Sequence, residues 1–311
     1  MLGKAIKELQ LPREELVILT KVFWPVAPAY DVLLYGKDPQ DFGIINQHGL
    51  NRKHIFDSVK KSLERLQLDY IDVLQCHRFD YDTPIEETMQ ALHDIVQAGY
   101  VRYIGMSSCH AYQFHAMQNY AIQNKLTPFI SMQNHHSLIY REEEREMLPT
   151  LKIFGVGAIP WSPLGRGVLT RPLSVQTKRG ETDGWVSPAL CHQHVADTDC
   201  ISWAGPYKEW AGTSDIVNRV EEISKKKGVS MAQVALAWSF SKDGTYPRLA
   251  CSFKDIGAER KTFAGVTAPI VGTTSLKNLE DLIGAVNIEL TPDEIKYLEE
   301  PYKPLEIFGH S

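Results

Sequence analysis

The chain has 311 residues, with 33 Lys and Arg against 38 Asp and Glu, a formal charge of −5. A net acidic chain lacks the basic footprint that nucleic-acid binding requires, and 43% hydrophobic with 23% charged residues is the composition of an ordinary folded globular protein, not a disordered one. No run of about 18 apolar residues is present, so no membrane-spanning helix is expected. The opening MLGKAIKELQLPREEL is charged throughout and has no apolar signal-type core, so a cytoplasmic protein is expected. Five scattered cysteines, Cys76, Cys109, Cys191, Cys200 and Cys251, read as reduced thiols and not as a disulfide framework.

In chain order, a helix-like LGKAIKE stretch comes first, followed by an apolar run at 17–22. Further runs lie at 70–77, 101–107, 128–134, 157–162 and 268–273. Each is nearly continuous in branched and aromatic residues, as strands buried on both faces of a parallel sheet are. Helical patterns fill the gaps at 52–67, 85–99, 111–124 and 141–155, with Gly99 and Gly155 placed as helix stops. The alternation predicts repeated strand–helix units, six by count, where a closed (β/α)₈ barrel has eight. Two stretches break the rhythm, at about 185–206 and 244–265.

The C-terminal ends of parallel strands are where such folds place their chemistry. The polar residues there are Lys21, His77, Ser107, Ser108, Gln133, Asn134, Trp161, Ser162, Thr273 and Thr274. Taken alone, Lys21 reads as a snorkelling surface lysine or as a used one. His77 reads as a hydrogen-bonded structural histidine or as a functional one. Trp161 could be core packing, and Thr273–Thr274 a helix cap. His135 and His136 read as loop residues or a pocket rim. The Cys191, His192, His194, Cys200 cluster has no zinc-type spacing, and no metal is expected. No G-x-S-x-G or H-E-x-x-H pattern supports a hydrolase.

The order of these segments is specific. LTK, LERLQLDYIDVLQCHR, IGMSS, SMQN, WSPLGRGVL and IVGTTSLKNLEDLIGA together resemble the aldo-keto reductase family over nearly the whole chain. The branch containing fungal aryl-alcohol-dehydrogenase-like reductases and the potassium-channel β-subunits is the most similar. The resemblance implies one domain over 1–311 with a (β/α)₈ TIM barrel, here incomplete, lacking its first two strands and carrying irregular insertions. It implies NADP(H) as cofactor and reduction of a small-molecule aldehyde or ketone, an aryl aldehyde by preference. The alternative is a non-catalytic NADP(H)-binding module that senses redox state or binds a partner.

By that resemblance Lys21 and His77 are catalytic: the lysine lowers the pKa of a proton-donating tyrosine and the histidine orients the carbonyl. Ser107, Ser108 and Gln133 hold the carboxamide, and Trp161 stacks on the nicotinamide. Ser162, Leu164 and Gly167 lie in the loop around the pyrophosphate. Gly272, Thr273, Thr274, Lys277, Asn278 and Asp281 hold the 2′-phosphate and adenine at a helix N-terminus, which suits an anion. The family's Asp and Tyr precede the LGKAIKE-like stretch and are not found, and neither Tyr30 nor Tyr35 fits as a replacement. Leu282 stands where the family often has Asn. A start inside the family domain and two in-frame insertions of unspliced sequence are the corresponding expectations.

Overall fold

The computed structural model describes residues 1–29, 32, 34, 37–175, 205–242 and 266–310. Tyr30, Tyr35, the Cys191–Cys200 cluster and nearly all of both irregular stretches lie outside the described residues. The chain forms two compact units, Met1–Gln133 with Gly309–Ser311, and Asn134–Phe308.

The first unit follows the predicted alternation. After helix α1 (Leu2–Glu8) come β1 (Leu19–Val22), α2 (Arg52–Leu66), β2 (Ile71–Cys76), α3 (Ile85–Gln97), β3 (Val101–Ser107), α4 (Ala111–Gln123) and β4 (Phe129–Gln133). Each strand pairs in parallel with the next, β1 to β2, β2 to β3 and β3 to β4. Ile55, Val59, Met89, Leu92, Ile95 and Phe114 turn inward from the helices and are fully buried with Ile71, Leu74 and Ile104 from the strands, the arrangement that gives parallel strands their unbroken apolar character. The helix ends follow local chemistry. The Asn51 side chain accepts from the His54 backbone N–H at 2.9 Å and starts α2. Gly99, at φ 80°, follows the end of α3. Gln118 on α4 donates to the Phe129 carbonyl at 3.0 Å and accepts from its N–H at 2.8 Å, so one amide satisfies both backbone groups at the start of β4.

The second unit contains α5 (Met147–Phe154), the two-residue strand β5 (Gly157–Ala158) and helices Gly205–Glu209, Thr213–Lys227, Met231–Phe240, Leu276–Ile283 and Pro292–Glu299. Its main core gathers Leu138, Ile139, Val217, Val220, Val234 and Trp238, and a smaller one gathers Ala232, Leu236, Leu282 and Ala285.

Two expected elements differ. The strand expected at 268–273 is reduced to isolated bridges, Ala158 with Val266 and Trp161 with Ile270. Thr267 and Ile270 donate to Ala158 and Pro160 carbonyls at 2.8 Å, while Pro269 has no N–H to continue a ladder. The helix expected over 141–155 is divided into a 3₁₀ turn, Glu142–Glu144, and α5. Pro149 lacks the N–H that a continuous helix would aim at the Arg145 carbonyl.

Candidate functional site

In the first unit the predicted residues lie at the C-terminal ends of successive strands, with Ser107 and Gln133 two residues beyond the row that Lys21 occupies. Lys21 of β1 is in register with Gln75 of β2, Gln75 with Gly105 of β3, Gly105 with Ser131 of β4, and Ser107 with Gln133. Lys21 is exposed over much of its length, yet local burial and then the Arg78 guanidinium hold its ammonium below the usual lysine range. His77 follows β2, and its N–H donates to the Val22 carbonyl at 2.9 Å. Burial, Arg78 and Lys21 push the His77 imidazole down to about 4. The structure therefore brings Lys21 and His77 into one electrostatic cluster with Arg78, a residue the sequence reading passed over. Arg78 donates through Nη1 to the His77 carbonyl at 2.6 Å.

Ser107, Ser108 and Gln133 also come together. All three are buried. The Ser107 hydroxyl donates to the Gln133 carbonyl at 2.7 Å, and the Ser108 N–H donates to the same carbonyl at 3.2 Å. Ser108 is held at φ 44°, a left-handed conformation that costs a non-glycine residue about 1–2 kcal/mol. The Gln133 amide donates to Gln75 Oε1 at 2.8 Å, and the buried Gln75 Nε2 has no partner among the described residues. Gln75 was missed because a glutamine inside an apolar run reads as part of the strand.

In the second unit Trp161 is half-buried, and its N–H donates to the Asn134 carbonyl at 2.9 Å. Ser162, Arg166 and Gly167 have φ of 52°, 53° and 96°, with Gly165 at 54°, so this loop turns tightly on left-handed residues. Leu164 packs against both apolar cores. Farther along, Gly272, Thr273, Thr274, Lys277 and Asn278 are exposed around the start of helix Leu276–Ile283. Open space surrounds Gly272. The helix cap is Ser275, whose hydroxyl accepts from the Asn278 N–H at 3.2 Å.

The Asp281 carboxylate accepts from the Ser230 hydroxyl at 2.7 Å, a bond between two helices. Leu282 is buried against Ala232 and Leu236, a setting in which an Asn would lose its hydration. His135 and His136, expected at a loop or rim, are 1% and 2% exposed, because ring stacking covers both: His135 on Trp161 and Tyr140, His136 on Trp238. Among the described residues no group of three His, Cys, Asp or Glu could hold a metal ion, and no helix is long and apolar enough to cross a membrane.

Parallel strand–helix units with a lysine, a histidine and buried amides at their strand ends define a site for small-molecule chemistry. The chain belongs to the aldo/keto reductase family, whose profile matches residues 1–303 and so runs through both units. That family has a (β/α)₈ barrel fold, generally binds NADP(H) and acts on small carbonyl substrates, and by family this chain is an oxidoreductase. Versiconal hemiacetal acetate reductase of Aspergillus parasiticus is 42% identical, over 99% of this chain and 79% of its own length. A protein of Schizosaccharomyces pombe that carries the provisional name aryl-alcohol dehydrogenase is also 42% identical, over 99% and 78%. An aldo-keto reductase of Fusarium vanettenii is 39% identical, over 100% and 76%.

Proposed function

We propose that this protein reduces an aldehyde or ketone to an alcohol with NADPH, and that an aryl aldehyde is the favoured substrate class. The observation that carries the reading is the placing of Lys21 and His77 at the ends of the paired strands β1 and β2, where the His77 backbone N–H donates to the Val22 carbonyl at 2.9 Å. The aryl preference rests on the name of the Schizosaccharomyces relative. NADPH supplies the hydride in such a reaction.

Each unit by itself carries groups suited to a part of that cofactor. The buried, unpartnered Gln75 Nε2 and the Gln133 side chain it adjoins offer amide groups to a carboxamide, beside Ser107 and Ser108. Ser107 would serve as an acceptor, since its own proton goes to the Gln133 carbonyl. Trp161 would face the nicotinamide, and the left-handed turn through Ser162, Leu164 and Gly167 would present backbone N–H groups to the pyrophosphate. The exposed start of helix Leu276–Ile283, with Gly272, Thr273, Thr274, Lys277 and Asn278, would take the 2′-phosphate and adenine. Asp281 would support that helix through Ser230.

His77, uncharged at neutral pH, would hydrogen-bond the carbonyl oxygen and hold it in line. Lys21 would place positive charge where that oxygen gathers negative charge, and solvent water would supply the proton that turns the alkoxide into the alcohol.

The test is an NADPH titration of the 1–311 chain by fluorescence quenching, followed by turnover of substituted benzaldehydes. Saturable quenching with turnover is expected, and His77→Gln is expected to cut turnover at least a hundredfold while quenching persists. Quenching without turnover of any carbonyl would overturn the reductase reading in favour of an NADP(H)-binding module. Absence of quenching would overturn both.

A further inference from the structure

Behind Trp161, within the second unit, three rings lie nearly parallel. The imidazole of His135 stacks on the Trp161 indole at 4.2 Å between centroids with 8° between planes. Its other face stacks on Tyr140 at 4.3 Å and 13°. His135 and Trp161 are also bridged through their backbones as parallel partners. The edge of the imidazole is fixed too: His135 Nε2 and the Tyr207 hydroxyl are 3.0 Å apart, a hydrogen bond. His135, Tyr140 and Tyr207 are essentially inaccessible to solvent, whereas Trp161 keeps part of its surface open. A stack buried at one end and open at the other is a support with a working surface.

The local backbone gives Trp161 a reason to need that support. Ser162, the next residue, is left-handed at φ 52°, so the chain turns sharply just after the indole. The backbone of Trp161 is bridged to His135 and Ile270, and the stack adds the face-to-face contact that sets the plane of its ring. The Arg166 guanidinium of the following loop lies 5.6 Å from the Tyr207 ring centroid and 6.0 Å from that of Trp161, so the support and that loop meet at one cation.

We propose that His135 is a positioning residue for cofactor binding: it holds the Trp161 indole, through face-to-face stacking and its bond to Tyr207, at the angle a flat nicotinamide ring needs. The inference rests on the reading of Trp161 as the nicotinamide-facing residue. A phenylalanine at 135 would keep the stack and lose the tie to Tyr207. A glutamine would keep a polar edge and lose the stack. A merely structural His135 would matter for folding and not for which part of the cofactor is felt.

The experiment compares NADPH with 2′,5′-ADP, which carries the adenosine half and no nicotinamide. The unaltered chain, His135→Gln, His135→Phe, Tyr207→Phe and Trp161→Ala are titrated with each ligand, with thermal unfolding recorded alongside. His135→Gln is expected to weaken NADPH binding about tenfold, the scale of one lost aromatic contact. His135→Phe is expected to recover most of that loss, and 2′,5′-ADP affinity to stay unchanged in all four variants. Equal weakening of both ligands, or no rescue by Phe, would overturn the inference by reducing His135 to a folding residue. If Trp161→Ala binds NADPH normally, the reading of Trp161 itself fails and the inference fails with it. If Trp161→Ala weakens NADPH while His135→Gln does not, the inference alone fails.

Discussion

His77 shows how a single side chain acquires a functional state from its surroundings. Burial, Arg78 and Lys21 together lower its pKa from 6.5 to about 4, which favours the neutral, hydrogen-bonding form. Replacing Arg78 by Met is expected to raise the His77 value toward 6.5, read from its imidazole resonances across a pH series, and an unmoved titration would remove Arg78 from the cause. His54, 5% exposed, is likewise held at about 4, chiefly by burial. The folded form of each histidine takes up its proton at lower pH than the unfolded form. Between pH 6.5 and 4 the unfolded chain therefore binds more protons, and stability falls as the pH falls through that window. The urea midpoint is expected to drop across it, and His54→Gln to flatten the slope. A midpoint constant from pH 6.5 to 4 would contradict this. Lys21 and His77 stand out in the sequence because a polar group at the end of an apolar run is costly to bury without a partner. Gln75 and His135 do not. Both are buried polar groups whose partners, Gln133 and Trp161, lie tens of residues away, and no local pattern encodes such pairings.

At the scale of elements, the strands of the first unit were readable because β2 and the C-terminal parts of β3 and β4 are buried on both faces, which imposes an apolar run. The reading failed at 268–273, where apolar character persists but Pro269 denies the ladder a donor. It failed again at 141–155, where helical periodicity conceals a polar junction. There the Glu144 carboxylate accepts from Arg141 at 2.6 and 2.9 Å and lies 3.0 Å from His136 Nε2. Arg141 also reaches Glu299 at 3.0 Å, and the Trp238 indole N–H donates to Glu299 at 2.8 Å. Burial alone would raise the Glu144 pKa, but His136, Arg141 and Lys242 hold it well below the usual carboxylate range. Glu144→Gln leaves the half-buried Arg141 and Lys242 with Glu299 as their remaining carboxylate, and a loss of about 2 kcal/mol is expected in denaturant unfolding. A loss under about 1 kcal/mol would show that the network is solvated. The helix caps act more locally. Ser230 caps helix Met231–Phe240 and donates to Asp281, so Ser230→Ala is expected to cost about 1–2 kcal/mol by the same measurement.

At the scale of the whole molecule, a chain of charge −5 repels a polyanionic dinucleotide at long range. Binding must then come from local donors that outweigh the mean field. Lys277 is exposed on helix Leu276–Ile283 near its N-terminus, where the helix dipole and the ammonium both favour an anion. The 2′-phosphate is what separates NADPH from NADH, so a contact to it should appear as a difference between the two cofactors. Lys277→Ala is expected to weaken NADPH about tenfold, the worth of one charge-assisted hydrogen bond, and to leave NADH within about twofold. Screening supplies an independent check. The Debye length shortens from about 10 Å at 0.1 M salt to about 3 Å at 1 M, so the preference of the unaltered chain for NADPH should shrink as salt rises, and the preference of Lys277→Ala should hardly move. Equal losses for both cofactors, or a salt response that survives the substitution, would take the 2′-phosphate away from Lys277 and leave the helix N-terminus and the Thr273–Thr274 turn to hold it.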